Sequence, residues 1–135
     1  MIKLITGKKG TGKTKIMIDM IKEAAASTKG SLVCIDKGAK LTYDIPHSVR
    51  LADVEEYSIE GFDAFYGFVA GLFAGNFDIS EVFVDSILKI GGRDYKELGN
   101  MLEKIDKISK EIVVAFTVSA DREDLPESVT RYINA

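Results

Sequence analysis

Apolar positions fall along the chain in two alternating patterns. Short continuous runs, rich in β-branched and aromatic residues, predict strands. A parallel sheet that is covered on both faces accepts such two-sided apolar strands. The sequence predicts four of them, at residues 2–6, 32–35, 81–85 and 112–118.

Between these runs, apolar residues recur at helical spacing. One helix is predicted over residues 14–28, with apolar positions on one face. A second is predicted from an N-cap at Ser58 to about residue 74. A third begins at Asp94, where the pattern Asp-x-x-Glu resembles a capping box.

Strands that alternate with helices predict an α/β fold. We expect a three-layer α-β-α sandwich around a mostly parallel sheet of four to five strands, in a single domain spanning residues 1–135. Residues 37–57 leave two alternatives open, a hairpin or one extra strand. Pro126 suits the first turn of a short C-terminal helix.

Charge is unevenly spread. The net charge is −3, yet residues 1–40 hold nine lysines against three acidic residues. The acidic remainder argues against broad nucleic-acid binding, which needs a basic face. The basic segment would suit a compact anion, although chance clustering of surface lysines explains it equally well.

The remaining composition excludes several classes of protein. The only cysteine is Cys34, so there is no internal disulfide, and with a single histidine, His47, a Cys/His metal site is nearly excluded. The longest apolar run, residues 64–74, is too short to cross a membrane. The sequence therefore predicts a cytoplasmic protein with no membrane partner.

A glycine-rich turn follows the first predicted strand. It reads Gly-Lys-Lys-Gly-Thr-Gly-Lys-Thr and fits the pattern G-x-x-x-x-G-K-[ST]. Glycines let several backbone N–H groups point at one anion, and the next helix directs its positive dipole end to the same place. Lys13 could then reach the β- and γ-phosphates, and the Thr14 hydroxyl could ligate Mg²⁺.

A dinucleotide-binding fingerprint, G-x-G-x-x-G, is the alternative interpretation of this turn. Gly10 and Gly12 fit its first two positions, but Lys15 stands where close packing needs a small residue. Asp36 lies where a ribose-binding acid would. A plain glycine-rich turn without a ligand is the third alternative.

The turn resembles the Walker A motif of P-loop nucleoside triphosphatases, and Glu-Val-Phe-Val-Asp85 is similar to their Walker B strand. The resemblance implies ATP and Mg²⁺ as cofactors, with Thr14 and Asp85 as metal ligands and with Lys13 and Asp85 as catalytic residues. The phosphate-binding residues would be Gly7, Lys8, Lys9, Gly10, Thr11, Gly12, Lys13 and Thr14.

The last predicted strand resembles a feature of the additional-strand, recombinase-like division of that family. There, a strand after Walker B carries a polar residue that senses the γ-phosphate, and Thr117 and Ser119 would be the candidates. The chain departs from the division at Ser86, where many members have a glutamate general base. Asp36 could replace it from a neighbouring strand. Weaker candidates are Asp121 and Glu123, and Arg93 could act as an arginine finger.

Three functions remain open. The first is an ATP-binding protein with slow, Mg²⁺-dependent hydrolysis. The second is a nucleotide-dependent interaction module with negligible turnover, and the third is a small-molecule kinase, for which the sequence offers no lid. The absence of an Asn-Lys-x-Asp run weakly favours ATP over GTP.

The predicted helix between Phe62 and Phe73 is apolar almost all round. It could be a core helix. The less favoured alternative is that it forms the surface of a homo-oligomer or binds a protein partner, because such a helix on a small domain leaves apolar surface exposed.

Overall fold

A computed structural model describes residues 1–133. Its strands are β1 (Ile2–Thr6), β2 (Ser31–Asp36), β3 (Arg50–Asp53), β4 (Ile79–Val84) and β5 (Val113–Val118). Its helices are α1 (Lys13–Ser27), α2 (Phe62–Gly75), α3 (Ile87–Gly91), α4 (Tyr95–Ser109) and α5 (Glu127–Thr130), with a 3₁₀ turn at Arg122–Asp124.

The five strands form one sheet in the order β1-β5-β4-β2-β3, and every neighbouring pair is parallel. The α/β class and the parallel sheet are therefore confirmed, with five strands in the described part of the chain. Strand β5 lies between β1 and β4, although it follows both in sequence. Its register sets Val118 opposite Thr6 and Phe116 opposite Val84. The carboxyl ends of β1, β5 and β4 consequently meet at one edge.

Side chains alternate between the two faces of this sheet, as the period of a strand requires. On one face Leu32, Cys34 and Phe83 are buried with Met17 and Ile21 of α1. On the other face apolar strand residues such as Val33 and Val84 are buried against α2, α3 and α4, in a core that also includes Phe65, Ile87 and Leu102. Helices thus cover both faces, as in a three-layer sandwich.

Two predicted helix starts have different outcomes. The N-cap at Asp94 is confirmed, because its carboxylate accepts hydrogen bonds from the backbone N–H groups of Lys96 and Glu97 at 3.1 and 3.2 Å. The N-cap at Ser58 is wrong. Its N–H donates to Glu55 O within a turn and its φ is 55°, so α2 begins four residues later, at Phe62.

Residues 37–57 contain one strand, β3, and no hairpin. Residues 40–44 form turns. Pro126 directly precedes α5, where its carbonyl accepts from Val129 N–H. Helix α3 is not among the helices predicted from the sequence.

Helix α2 is buried on one side only. Phe62, Phe65 and Val69 face the core, whereas Ala64 and Gly67 are exposed. The core interpretation of this helix is therefore correct for one face. In the described residues, no helix combines the length and apolarity that a membrane span requires.

Candidate functional site

The glycine-rich turn connects the end of β1 to the start of α1. Gly12 is the residue before α1 and has a φ of 85°, a left-handed conformation that glycine adopts without strain. Gly7 needs its missing side chain for a second reason, because a Cβ there would lie 2.7 Å from Thr11 Oγ1. These two glycines let the chain turn tightly from strand to helix.

Contacts to the segment after β5 hold this turn. Gly7 N–H donates to Ala120 O at 3.0 Å, and Lys8 Nζ lies 3.4 Å from Asp121 Oδ2. Within the turn, Thr11 Oγ1 donates to Lys8 O at 2.7 Å. Asp121 was a weak candidate for a general base, and here it pairs with a lysine of the loop.

Lys13 is the first residue of α1, and its side chain folds back over the turn. Its ammonium donates to Lys8 O at 2.7 Å. The residue is only 7% exposed. Burial lowers the pKa of Lys13 below its ordinary value, and the nearby Asp85 carboxylate acts in the opposite direction. A partly desolvated ammonium of this kind is strongly attracted to an anion.

Asp85 follows β4 and accepts hydrogen bonds from two hydroxyls. Thr14 Oγ1 lies 3.2 Å from both carboxylate oxygens, although the residues are 71 positions apart. Thr117 Oγ1, on β5, donates to Asp85 Oδ1 at 2.7 Å. Thr117 Oγ1 also accepts from Ser86 N–H at 2.6 Å. Helix α1, the end of β4 and strand β5 thus bring these side chains into one network.

A cavity of about 400 Å³ opens above this network. Four hydroxyl-bearing residues line it, Thr14, Ser86, Thr117 and Ser119. Four cationic residues line it too: Lys9, Lys13, Lys89 and Arg93. In residues 1–133 none of its lining residues has a carboxylate, so the lining attracts anions.

Most of the predicted site residues divide into two groups. Those that line the cavity are Lys9, Gly10, Gly12, Lys13, Thr14, Thr117 and Ser119. Gly7, Lys8 and Thr11 shape the turn beneath it, and Asp85 lies directly below Thr14 and Thr117. Arg93 also reaches the cavity, and its Nη1 donates to Ser119 O at 3.5 Å.

Asp36 lies apart from the cavity lining, at the end of β2. It is buried, and its two oxygens accept from Lys37 N–H at 2.8 Å and Lys40 N–H at 2.9 Å. Burial raises the pKa of Asp36 and the Asp85 charge adds to this, while the bonds from Lys37 and Lys40 oppose it. In this arrangement Asp36 holds the loop that follows β2.

Sequence reasoning missed Lys89. The signal was present, because Ile87, Leu88 and Ile90 are spaced as one buried side of a helical turn directly after Asp85. Such a turn places the polar residue between them on the outside, beside the cavity.

The donor set fits magnesium and phosphate. Mg²⁺ takes oxygen ligands in an octahedron with arms of about 2.1 Å, so neighbouring ligand oxygens lie about 3 Å apart. The Thr14 hydroxyl and the Asp85 carboxylate, at 3.2 Å, have nearly this separation. An ion here would meet both side chains, directly or through water. The cationic lining above them matches phosphate charge.

Comparisons with known proteins leave the family open. No protein-family model matches the chain, and no curated protein matches it in sequence. The resemblance to P-loop proteins therefore depends on the motifs and on the geometry described above.

Proposed function

We propose that this chain is a P-loop protein that binds ATP with Mg²⁺ and hydrolyses it slowly. The observation that carries the proposal is the pair Thr14–Asp85. Its hydroxyl and carboxylate come from distant parts of the chain and lie 3.2 Å apart beneath a cation-lined cavity. A hydroxyl and a carboxylate at this separation could hold a Mg²⁺ ion that is bound to the terminal phosphates of a nucleotide.

Each part of the glycine-rich turn has a role in this proposal. The first N–H groups of α1 have no carbonyl within the helix to bond, since the first such bond runs from Ile16 N–H to Gly12 O. They and the N–H groups of the turn are available to phosphate oxygens. Lys13 would exchange its bond to Lys8 O for the β- and γ-phosphates. Bound Mg²⁺ would neutralise charge on the phosphates.

The position of β5 supports the additional-strand resemblance. It sets Thr117 and Ser119 at the cavity, between the turn after β1 and the carboxylate after β4. Thr117 already touches Asp85. We propose that Thr117 responds to the γ-phosphate by exchanging hydrogen-bond partners there.

A nucleotide-dependent interaction module is the second candidate function. Hydrolysis needs a group that orients water, usually a carboxylate. Among residues 1–133, no carboxylate side chain lines the cavity, and Ser86 follows Asp85. Both oxygens of Asp36 accept backbone N–H groups of the loop after β2. Without a carboxylate to orient water, ATP hydrolysis would be slow in the first candidate function and negligible in the second.

Thermal unfolding with and without Mg-ATP tests nucleotide binding. Ligand at about 100 times its Kd adds about 2.7 kcal/mol, which raises Tm by several degrees for a chain of this size. Lys13→Ala should lose the shift. Lys22→Ala removes the same charge from an exposed position further along α1 and should keep it. A shift that survives in Lys13→Ala would overturn the proposal, and GTP measured in parallel tests the choice of base.

Phosphate release then separates the two candidate functions. A Mg²⁺-dependent release of phosphate that Lys13→Ala abolishes supports the ATPase. Nucleotide binding without release supports the interaction module. If Asp36→Asn binds ATP normally but releases no phosphate, Asp36 is the general base.

A further inference from the structure

The segment after Asp85 fixes a lysine beside the cavity. In α3 the side chains of Ile87, Leu88 and Ile90 are buried, at 0, 6 and 3% exposure, whereas Lys89 is exposed. Three buried neighbours hold the backbone of the turn in place. Lys89 therefore projects from a fixed position, and only its flexible stem has to move to meet a ligand.

Hydrogen bonds to other elements hold the same segment. Lys37 Nζ donates to Lys89 O at 3.3 Å, and Gly61 N–H donates to Ile90 O at 2.9 Å. Arg93 reaches back to Ser119 O. The two cations of this segment, Lys89 and Arg93, thus line the same cavity as the glycine-rich turn.

Four cationic residues line the cavity, and in the described part of the chain the lining includes no carboxylate. In residues 1–133 the ion pairs involve none of Lys9, Lys13, Lys89 and Arg93. Lys40 lowers the pKa of Lys89 below its ordinary value, and burial and Lys9 lower it further, while the Asp85 charge opposes the shift. Like charges held close repel one another, and a bound anion would relieve that repulsion.

The Thr14–Asp85 pair indicates where a third phosphate would lie. If the glycine-rich turn and α1 take the inner phosphates, the chain extends away from the turn, past Thr14 and Asp85. Lys89 and Arg93 belong to the segment that follows Asp85, and both line the same cavity. The third phosphate would meet these two side chains, whereas a diphosphate would end before them.

We propose that Lys89, assisted by Arg93, binds the terminal phosphate within the same chain and so makes the site select nucleoside triphosphates over diphosphates. This inference rests on the proposed function and names a specificity that the glycine-rich turn alone does not provide. A charged hydrogen bond made to the triphosphate only is worth about tenfold or more in affinity.

Calorimetric titration of the full chain with Mg-ATP and Mg-ADP tests this inference. Lys89→Ala should weaken ATP binding about tenfold and leave ADP binding within about twofold. Lys89→Arg, which keeps the charge, should retain most of the ATP preference. Lys22→Ala, an equal change of charge on exposed α1 surface, should leave both affinities unchanged. Arg93→Ala should act in the same direction as Lys89→Ala.

The outcomes separate the inference from the proposed function. If Lys89→Ala weakens ATP and ADP equally, the lysine attracts anions in general and the inference is wrong. If it changes neither affinity, the inference is also wrong, while the nucleotide site stands. If the unaltered chain binds neither nucleotide, the proposed function fails and the inference fails with it.

Discussion

The Thr117 hydroxyl donates a hydrogen bond of 2.7 Å to Asp85 Oδ1, across two neighbouring strands. Its oxygen also accepts from Ser86 N–H. Thr117 is 1% exposed, so neither bond is readily replaced by water. The residue therefore orients the carboxylate and fixes the start of the turn after β4 at the same time.

Thr117→Val should destabilise the chain by about 1–3 kcal/mol, because the isosteric side chain leaves Ser86 N–H and one carboxylate bond unsatisfied. The midpoint of urea unfolding measures this loss. The variant should also weaken Mg²⁺-dependent nucleotide binding, since Asp85 is no longer oriented.

Thr42→Val is the matched control. Thr42 is exposed, and its hydroxyl bonds only to Ala39 O in a surface turn. Its substitution should change stability by about 0.5 kcal/mol or less. An equally small effect at Thr117 would mean that its hydrogen bonds contribute nothing to the fold.

Asp36 should make stability fall as pH rises above 3.8, its ordinary pKa. Its pKa in the folded chain is raised above the ordinary value of 3.8, chiefly by burial. Below that value both states are protonated; above it, the unfolded chain ionises first. The stabilising contribution of protonated Asp36 is therefore lost as pH rises through its folded pKa.

Asp36→Asn removes this dependence. The difference in unfolding free energy, variant minus unaltered chain, should increase from about pH 4 toward neutral pH, on top of a constant loss from the altered loop hydrogen bonds. Urea unfolding at a series of pH values measures this slope. A difference that stays flat with pH would show that Asp36 has the same pKa in both states.

Much of the fold could be predicted because its signals are local. Buried parallel strands give continuous apolar runs, and the glycine-rich turn before α1 has a pattern set by its chemistry. The predicted N-cap at Ser58 was wrong because a serine before an apolar segment suits a turn as well as an N-cap. The true boundary at Gly61 depends on a bond from its N–H to Ile90 O, which links residues distant in sequence.

The candidate site could be predicted only in part, for a similar reason. Thr14 and Asp85 each belong to a recognisable motif. Lys89 belongs to none, and its place at the cavity follows from the direction in which the chain leaves Asp85. Ser86 has a φ of 62° at this point, a left-handed conformation that no local sequence pattern predicts.

Gly91→Ala should destabilise the chain by about 1–3 kcal/mol through overpacking. A Cβ at this position would lie 2.1 Å from Cε1 of Phe62, the buried first aromatic ring of α2. Thermal or urea unfolding measures the loss. Gly71→Ala, within α2 and with no atom near its added Cβ, should instead stabilise the chain by about 0.5–1 kcal/mol. Equal effects at the two positions would contradict the close contact at Phe62.

Cys34 should report on opening of the sheet beside the site. It is fully buried in β2, and burial raises its pKa to about 12, with Asp36 and Asp85 adding to the shift. Because the thiolate is the reactive form, a thiol reagent at about pH 8 should modify the folded chain only when it opens. As this is the only cysteine, mass spectrometry measures the rate without ambiguity. Mg-ATP should slow modification of the unaltered chain and leave Lys13→Ala unaffected. Modification of the folded chain as fast as in urea would contradict this burial.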